Sequence, residues 1–160
     1  FLTTDNLPAT DVIIAVESFA HMPESNAFFE RVNELLSPGG LLIIVDDMIA
    51  DESLSDGGLG RRQHWIEKFH RGWRLPCLLP ESEMNNQAEK ASLIQQDQKD
   101  LSPYIKLYAP LRMQIMKALT FLPFSTPYLD SINGGTAGQV CLKHGWVSYK
   151  YKSFQISRNA

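Results

Sequence analysis

Residues 11–45 read DVIIAVESFAHMPESNAFFERVNELLSPGGLLIIV, and this stretch decides the fold. It begins with an apolar run from Asp11 to Glu17 and ends with a second run from Leu41 to Val45. Apolar runs without polar alternation are typical of parallel strands that are covered on both faces. We therefore predict two adjacent parallel strands, each buried on both faces.

The segment between these strands is predicted to be a helix from Pro23 to Leu36. Proline suits the first helical turn, and the apolar residues recur at helical spacing. The following Ser-Pro-Gly-Gly, residues 37–40, ends the helix. A crossover of this length joins two parallel strands in a right-handed unit, so the sequence predicts an α/β protein.

Further elements are predicted along the rest of the chain. The acidic, glycine-rich residues 51–60 indicate a loop. Apolar periodicity predicts helices at 61–73, 80–93, 107–121 and 134–144, and strands at 94–100 and 146–156. The helix at 107–121 carries an apolar stripe of Leu111, Ile115, Met116 and Leu119. In the last strand Trp146, Ser148, Lys150 and Lys152 alternate with a second set, namely Val147, Tyr149, Tyr151, Phe154 and Ile156.

The composition restricts the class of protein. A chain of 160 residues with 44% hydrophobic and 21% charged residues is typical of one globular domain. Its net charge of -3 argues against nucleic-acid binding, which depends on many Lys and Arg residues. No apolar run approaches the ~20 residues that span a bilayer, and no signal peptide is apparent, so we expect a cytoplasmic protein.

The two cysteines, Cys77 and Cys141, match neither a disulfide framework nor a metal-binding pattern. We predict that both are buried apolar residues in a reducing compartment. His64 and His70 are six positions apart, which does not place both on one helix face. No metal site is therefore predicted.

Polar residues follow both predicted strands of the first unit. Glu17, Ser18 and His21 come after the first strand, and Asp46 and Asp47 end the second. The carboxyl ends of parallel strands meet at the edge of the sheet where open α/β proteins bind their ligands. We therefore expect a functional site at this edge.

Two motifs at these strand ends resemble a known family. They are E-S-x-x-H-x-P from Glu17 to Pro23 and L-x-P-G-G-x-L-x-x-x-D from Leu36 to Asp46. Together they resemble the second half of class I S-adenosylmethionine-dependent methyltransferases, in the branch of sterol and tocopherol methyltransferases and cyclopropane-fatty-acid synthases. Residues 101–104 and 134–154 also resemble the tail of such small-molecule enzymes.

The resemblance implies a Rossmann-like sheet with strand order 3-2-1-4-5-7-6 and helices on both faces. This chain would supply strands four to seven only, with the last strand antiparallel to its neighbours. The family binds its cofactor with a glycine-rich loop after strand one, and no Gly-x-Gly precedes a helix here. Residues 1–160 are therefore predicted to be the C-terminal portion of one methyltransferase domain without its cofactor-binding half, and to bind the cofactor only weakly alone.

The resemblance also implies roles for individual residues toward S-adenosylmethionine. Phe1 and Leu2 correspond to the segment that flanks the adenine ring. Val16, Glu17 and Ser18 would lie beneath the sulfonium, where a carboxylate orients groups and offsets positive charge. Glu17 and His21 are the predicted catalytic residues, with His21 as a general base.

The acceptor pocket is predicted to contain His21 and a set of aromatic residues, because such pockets are mostly apolar. These aromatic residues are Trp65, Phe69, Trp73, Tyr104 and Tyr108. Their alternative interpretation is packing in the core. Methyl transfer is an in-line displacement that alignment alone accelerates, so no nucleophilic triad is required.

The leading hypothesis is methyl transfer to a small, partly apolar acceptor. An alternative is a catalytically inactive half-domain that serves as an interaction or dimerisation module, with a homodimer as one form. A nicotinamide-binding oxidoreductase shares the α/β layout, but the Glu17 to Pro23 motif disfavours it.

Overall fold

A computed structural model describes residues 7–51, 59–121 and 126–157 of the chain. Every predicted helix and strand is present in this described part. In chain order the elements are β1 (Thr10–Val16), α1 (Ser25–Leu35), β2 (Leu36–Ile49), α2 (Leu59–Trp73), α3 (Glu81–Lys90), β3 (Leu93–Asp100), α4 (Pro110–Leu119), α5 (Pro127–Lys143) and β4 (Val147–Ile156). A 3-10 helix, Ser102–Tyr104, follows β3. Most of the predicted loop at 51–60 lies outside the described residues.

The strands form one mixed sheet in the order β1-β2-β4-β3. β1 and β2 are parallel, and β4 lies antiparallel between β2 and β3. This order confirms the predicted α/β class, the parallel first pair and the antiparallel last strand.

β2 is longer than predicted, because it begins at Leu36 and extends to Ile49. Asp46 and Asp47 therefore lie within the strand, and the prediction that they end it was wrong. The strand continues because β4 pairs with it beyond the end of β1, with Ile49 opposite Val147. An antiparallel partner satisfies backbone groups that β1 no longer reaches.

Helices α1 and α3 cover one face of the sheet. The core on this face contains Leu42, Ile44 and Met48 of β2, with an aromatic cluster from α1 and the loop before it. That cluster is Phe19, Phe28 and Phe29, whose ring centroids lie 5.2–5.4 Å apart. Edge-to-face and tilted ring contacts therefore pack the aromatic part of this core.

The opposite face of β1 is open to solvent. Val12, Ile14 and Val16 are 47%, 64% and 54% exposed. The prediction that this strand is buried on both faces was wrong, because β1 is at the end of the described sheet and no described helix packs over its outward-facing residues. An apolar run in sequence reports the composition of both faces but not what covers them.

Helices α2 and α5 form a second layer with the loop after β1 and the far ends of β2 and β4. Its core includes Trp65, Phe69, Ala20 and Val147, and also the buried Cys141. Cys77 is buried as well, so the prediction that both cysteines are buried is confirmed. Among the described helices, none has the length and apolar character needed to cross a membrane.

The apolar stripe predicted on α4 is largely exposed. Leu111, Ile115 and Leu119 face solvent, and Met113 is the residue of this helix that packs into the core. Helical spacing was therefore correct for the stripe, but the stripe is not the buried face.

A lysine is buried on the face that α3 covers. Lys152 of β4 is fully buried, and its Nζ contacts Glu81 Oε1 at 2.8 Å and Asn85 Oδ1 at 2.9 Å. Gln95 and Gln98 of β3 also accept hydrogen bonds from it, each at 3.0 Å. Burial lowers the pKa of Lys152, and Glu81 opposes that shift. Full satisfaction of the ammonium group is what makes its burial tolerable.

The strand register also corrects the grouping of β4 residues. Phe154 pairs with Leu42 and Lys152 with Ile44, so both lie on the α3 side of the sheet. Phe154 and Ile156 therefore share a face with Lys150 and Lys152, not with Tyr149 and Tyr151.

Gly72 of α2 and Gly134 of α5 bring these two helices into backbone contact. A Cβ atom at Gly72 would lie 2.5 Å from the Gly134 Cα and 2.5 Å from the Asp130 carbonyl oxygen. At Gly60, near the other end of α2, a Cβ atom would meet nothing within 4 Å.

We expect Gly72→Ala to lower the free energy of unfolding by about 1–3 kcal/mol, because the two helices must separate. Gly60→Ala is the matched control in the same helix, and it should be neutral or stabilising by up to about 1 kcal/mol. Urea unfolding of both variants measures the difference. Equal stabilisation by the two substitutions would contradict the close helix contact.

Candidate active site

A cavity of about 170 Å³ lies where β1, β2 and β4 meet helices α2 and α5. Its lining is partly polar and partly apolar. Its polar residues are Glu17, His21, Asp46, Asp47, Gln139 and Tyr149, and its remaining lining residues are Phe69, Trp73, Leu75, Ile105, Gly135, Gly138 and Leu142. This is the carboxyl edge of the parallel pair, where the sequence predicted a site.

Strand register brings the polar residues together. Val16 pairs with Val45, so Glu17 follows β1 beside the end of β2. Asp47 lies directly opposite Tyr149 of β4. Three strands thus place three functional groups at one edge of the sheet.

Glu17 adopts a left-handed backbone conformation, with φ of 47°. Its backbone N–H donates to the Val45 carbonyl oxygen at 2.9 Å, and Tyr149 Oη donates to its carboxylate at 3.2 Å. A positive φ costs a non-glycine residue on the order of 1 kcal/mol, and such strain is concentrated at functional sites. This turn directs the chain from β1 into the loop that carries His21.

Asp46 anchors that loop. Its buried carboxylate accepts hydrogen bonds from the backbone N–H of Ala20 at 3.1 Å and of Asp47 at 2.9 Å. Burial raises the pKa of Asp46, while these backbone hydrogen bonds oppose the shift. The Asp46 carboxylate therefore holds the loop after β1 against β2 through its hydrogen bond from Ala20.

His21 is held by the segment after α2. Its Nδ1 lies 3.1 Å from the Arg74 carbonyl oxygen, and Cys77 N–H donates to the Ala20 carbonyl oxygen at 3.0 Å. A carbonyl can only accept, so Nδ1 carries the hydrogen of that bond and the neutral ring has its acceptor at Nε2. This tautomer is the one that a general base working through Nε2 requires.

The cavity shifts the titration of its acidic groups. Burial raises the pKa of Asp47 to about 7, and the nearby carboxylates of Asp46 and Glu17 add to the shift. The pKa of Tyr149 rises to about 12, mainly through burial and then through Glu17. Burial also raises the pKa of Cys141, on α5, to about 12. A pKa of about 7 means that Asp47 is divided between its two protonation states at neutral pH.

Phe69 and Trp73 form the aromatic wall of the cavity. Their ring centroids are 5.4 Å apart, and Trp73 Nε1–H donates to the Ser131 carbonyl oxygen at 3.1 Å. A Cβ atom at Gly138 would lie 2.9 Å from the Phe69 ring, so this position on α5 has room only for glycine. The glycines of α5 therefore let the aromatic wall lie directly against that helix.

The structure distributes the predicted site residues unequally. Glu17, His21, Phe69 and Trp73 line the cavity. Trp65 is in the core, and Tyr108 is half-buried, with its N–H donating to the cavity residue Gln139 at 2.9 Å.

The other predicted residues lie away from the cavity. Tyr104 is 74% exposed and contacts Lys99, Val16 is exposed on the open face of β1, and Ser18 is half-buried beside the cavity residue Glu17. Phe1 and Leu2 lie outside the described residues.

Four polar residues that line the cavity have no role predicted from the sequence. Asp46 and Asp47 were placed at the sheet edge without a function, and Tyr149 and Gln139 were not among the predicted site residues. The signal for Tyr149 was the register of the last strand against β2, which pattern alone does not provide. Gln139 follows the glycines of α5, and only the helix contact places it at the cavity.

No family model matches the chain, and no curated protein matches its sequence. Solved structures do match its fold. StiE O-MT has a TM-score of 0.66 and 19% identity, and the match covers 99% of this chain and 48% of that one. Geranyl diphosphate C-methyltransferase from Streptomyces coelicolor, in complex with Mg²⁺, geranyl diphosphate and S-adenosyl-L-homocysteine, has a TM-score of 0.64 and 11% identity, over 98% of this chain and 52% of that one.

The cyclase SpnF also matches, with a TM-score of 0.61 and 15% identity, over 99% of this chain and 54% of that one. This chain thus matches part of the Rossmann-like fold of class I methyltransferases, and it spans about half the length of each solved structure. Identities this low show the fold alone, and a cyclase among the matches shows that the fold hosts more than one reaction.

Asp47→Asn should change how stability depends on pH. In the wild type, the folded state keeps the Asp47 proton up to about pH 7, whereas the unfolded state loses it near the ordinary value of 3.8. Stability from this group is therefore present at low pH and falls as the pH rises toward 7.

The variant lacks this loss, so its Tm relative to wild type should be higher at pH 8 than at pH 5. Thermal unfolding at both values measures it. Asp11→Asn is the matched control, because Asp11 is an exposed residue of β1. The Tm of this variant should differ from that of the wild type by a similar amount at the two pH values. A pH-independent effect of Asp47→Asn would contradict the raised pKa.

Proposed function

We propose that the intact protein transfers a methyl group from S-adenosylmethionine to a small, partly apolar acceptor that occupies this cavity. The observation that carries the proposal is the cavity at the carboxyl edge of the sheet. Its lining combines the acidic residues Glu17, Asp46 and Asp47 with the aromatic wall. The similarity to methyltransferase structures supports it at the level of fold.

The charge of the cavity fits this cofactor. When bound, S-adenosylmethionine supplies a methyl group on a positively charged sulfur. Glu17 and Asp47 line the cavity with carboxyl groups, and a carboxylate offsets a nearby positive charge. Glu17 follows β1 and is the residue that we assign to the sulfonium side. The hydrogen bond from Tyr149 to this carboxylate supports that assignment, because it orients the carboxylate at the end of β1.

The rest of the cavity suits the acceptor. Phe69, Trp73 and Leu142 provide an apolar surface against which the acceptor would pack. Because the reaction is an in-line displacement, holding the acceptor in alignment supplies much of the acceleration. His21 Nε2 or Asp47 would take the proton of the acceptor. Neither role requires a covalent intermediate on the protein.

The matched structures are about twice as long as the part that this chain covers. We propose that the remaining contacts to the cofactor, those to its ribose and carboxylate, come from outside residues 1–160. Each charge-assisted hydrogen bond is worth about 1.5–3 kcal/mol, so two or three missing bonds weaken binding by at least about a hundredfold.

Isothermal titration of the 160-residue chain with S-adenosylhomocysteine should therefore give a Kd in the ~millimolar range. A longer protein that contains a complete methyltransferase fold should bind at least about a hundredfold more tightly and methylate an acceptor. Micromolar binding by the 160-residue chain would contradict the proposal that the ribose and carboxylate contacts come from outside this chain. Absence of binding by the longer protein would contradict the proposed function.

A second candidate function is an interaction or dimerisation module. The exposed apolar face of β1, formed by Val12, Ile14 and Val16, favours it, because such a face and an unpaired strand edge are ready to be covered by another chain. The exposed stripe of α4 is a separate apolar surface, so a substitution there is a control for the test of β1.

If the module is a homodimer through β1, light scattering at ~50 µM should give twice the monomer mass. The double variant V12K/I14K should then be monomeric. Leu111→Lys on α4 is the matched control and should leave the dimer intact. A wild-type chain that is monomeric at this concentration would remove the dimer from consideration.

A further inference from the structure

The acidic and basic residues that line the cavity are not balanced, because the carboxyl groups have no Lys or Arg beside them in the described lining. Three of its lining residues carry carboxyl groups, namely Glu17, Asp46 and Asp47, and none of the described lining residues is Lys or Arg. A ligand with a phosphate or a carboxylate would meet only repulsion from these groups. A ligand with a positive charge would be attracted.

The three carboxyl groups differ in their hydrogen bonds. Asp46 accepts from two backbone N–H groups, and Glu17 accepts from Tyr149. Among the described residues, none donates a hydrogen bond to the Asp47 carboxyl group, although it is half-buried in the cavity wall. Burial and the neighbouring carboxylates of Asp46 and Glu17 disfavour the charged form of Asp47, so a cation that joins it is attracted.

We propose that the acceptor is a small protonated amine with an apolar body, and that Asp47 binds its ammonium group and takes one proton from it. This inference rests on the proposed function and names its substrate class. Gln139 and His21 also line the cavity and offer further hydrogen-bonding groups to such a ligand.

The aromatic wall suits the same ligand. Phe69 and Trp73 face the cavity that the carboxyl groups line. Aromatic rings attract ammonium groups through their negative faces and also bury apolar bodies. An amine therefore uses both sides of the cavity, whereas an alcohol of the same shape leaves Asp47 without a cation.

Proton transfer is the step that an amine acceptor needs. One proton passes from the ammonium nitrogen to an Asp47 carboxylate oxygen, and the nitrogen keeps the electron pair as its lone pair. The raised pKa of Asp47, about 7, brings the carboxyl group closer to the amine in proton affinity.

Neighbouring groups set the pH range of this step. Glu17 at the end of β1 and Asp46 on β2 raise the pKa of Asp47, and Asp47 in turn raises the pKa of Tyr149 on β4 and of Cys141 on α5. His21 lies in the same cavity and couples to Asp46. Because Asp47 must be ionised and the amine protonated, amine binding should strengthen as the pH rises through about 7.

The test compares amines with alcohols of the same shape at pH 8. Benzylamine is paired with benzyl alcohol, and 3-methylbutylamine with 3-methylbutanol. Binding to the 160-residue chain is followed by the indole N–H signal of Trp73 in NMR spectra. At least one amine should bind about tenfold more tightly than its alcohol.

Asp47→Asn should remove that preference, so that each amine binds no more tightly than its alcohol. Asp47→Glu should retain part of it, and Asp11→Asn, which makes the same charge change away from the cavity, should behave as wild type. If neither amine exceeds its alcohol, or if the preference survives Asp47→Asn, the inference is wrong.

The cofactor is a second source of positive charge, so a parallel arm compares S-adenosylmethionine with S-adenosylhomocysteine. If Asp47→Asn weakens only the sulfonium compound, Asp47 serves the cofactor and the amine assignment is overturned. Binding of S-adenosylhomocysteine without any amine preference would sink this inference and leave the proposed function standing. Amine preference in the 160-residue chain, together with absence of cofactor binding by the longer protein, would contradict the proposed function and leave Asp47 as an amine-binding residue without a methyl acceptor role.

Discussion

Strand β2 is paired along both of its edges, in parallel with β1 and antiparallel with β4. The first pairing delivers Glu17 to the end of β2, and the second places Tyr149 opposite Asp47. A slip of one residue in either register would turn these side chains to the opposite face of the sheet. The site therefore depends on backbone hydrogen bonds that are made far along the strands, where the apolar core of Leu42 and Ile44 fixes the register.

The two faces of the same sheet handle buried charge differently. On the α3 side, Lys152 is fully buried, but Glu81, Asn85, Gln95 and Gln98 satisfy its ammonium group, so this charge is structural. Lys150 also pairs with Glu81. Burial pushes the pKa of Glu81 upward, but the two lysines outweigh it and the pKa is lowered. At the cavity Asp47 has like charges as neighbours instead, which is the arrangement found at sites that bind ligands.

Much of the fold was predictable because apolar periodicity reports local structure. The runs at 11–17 and 41–45 identified β1 and β2 and their parallel pairing. The same pattern did not reveal that β2 continues to Ile49, since Asp46 and Asp47 interrupt the apolar run. Nor could it reveal that Val12, Ile14 and Val16 are exposed, because exposure depends on which helices pack over a strand. The sequence therefore predicted the strands themselves, but it did not predict which of their faces the helices cover.

The aromatic residues of α2 illustrate the same limit at the site. Trp65, Phe69 and Trp73 recur every four positions, so the sequence places them along one side of the helix. The crossing with α5 decides which of these three side chains reach the cavity. Gly72 and Gly134 bring the two backbones together, and Gly138 admits the Phe69 ring, so Phe69 and Trp73 reach the cavity. Trp65 lies two turns from Trp73, beside Phe121, where it closes the core. The glycines of one helix thus decide which aromatic residues of the other can meet a ligand.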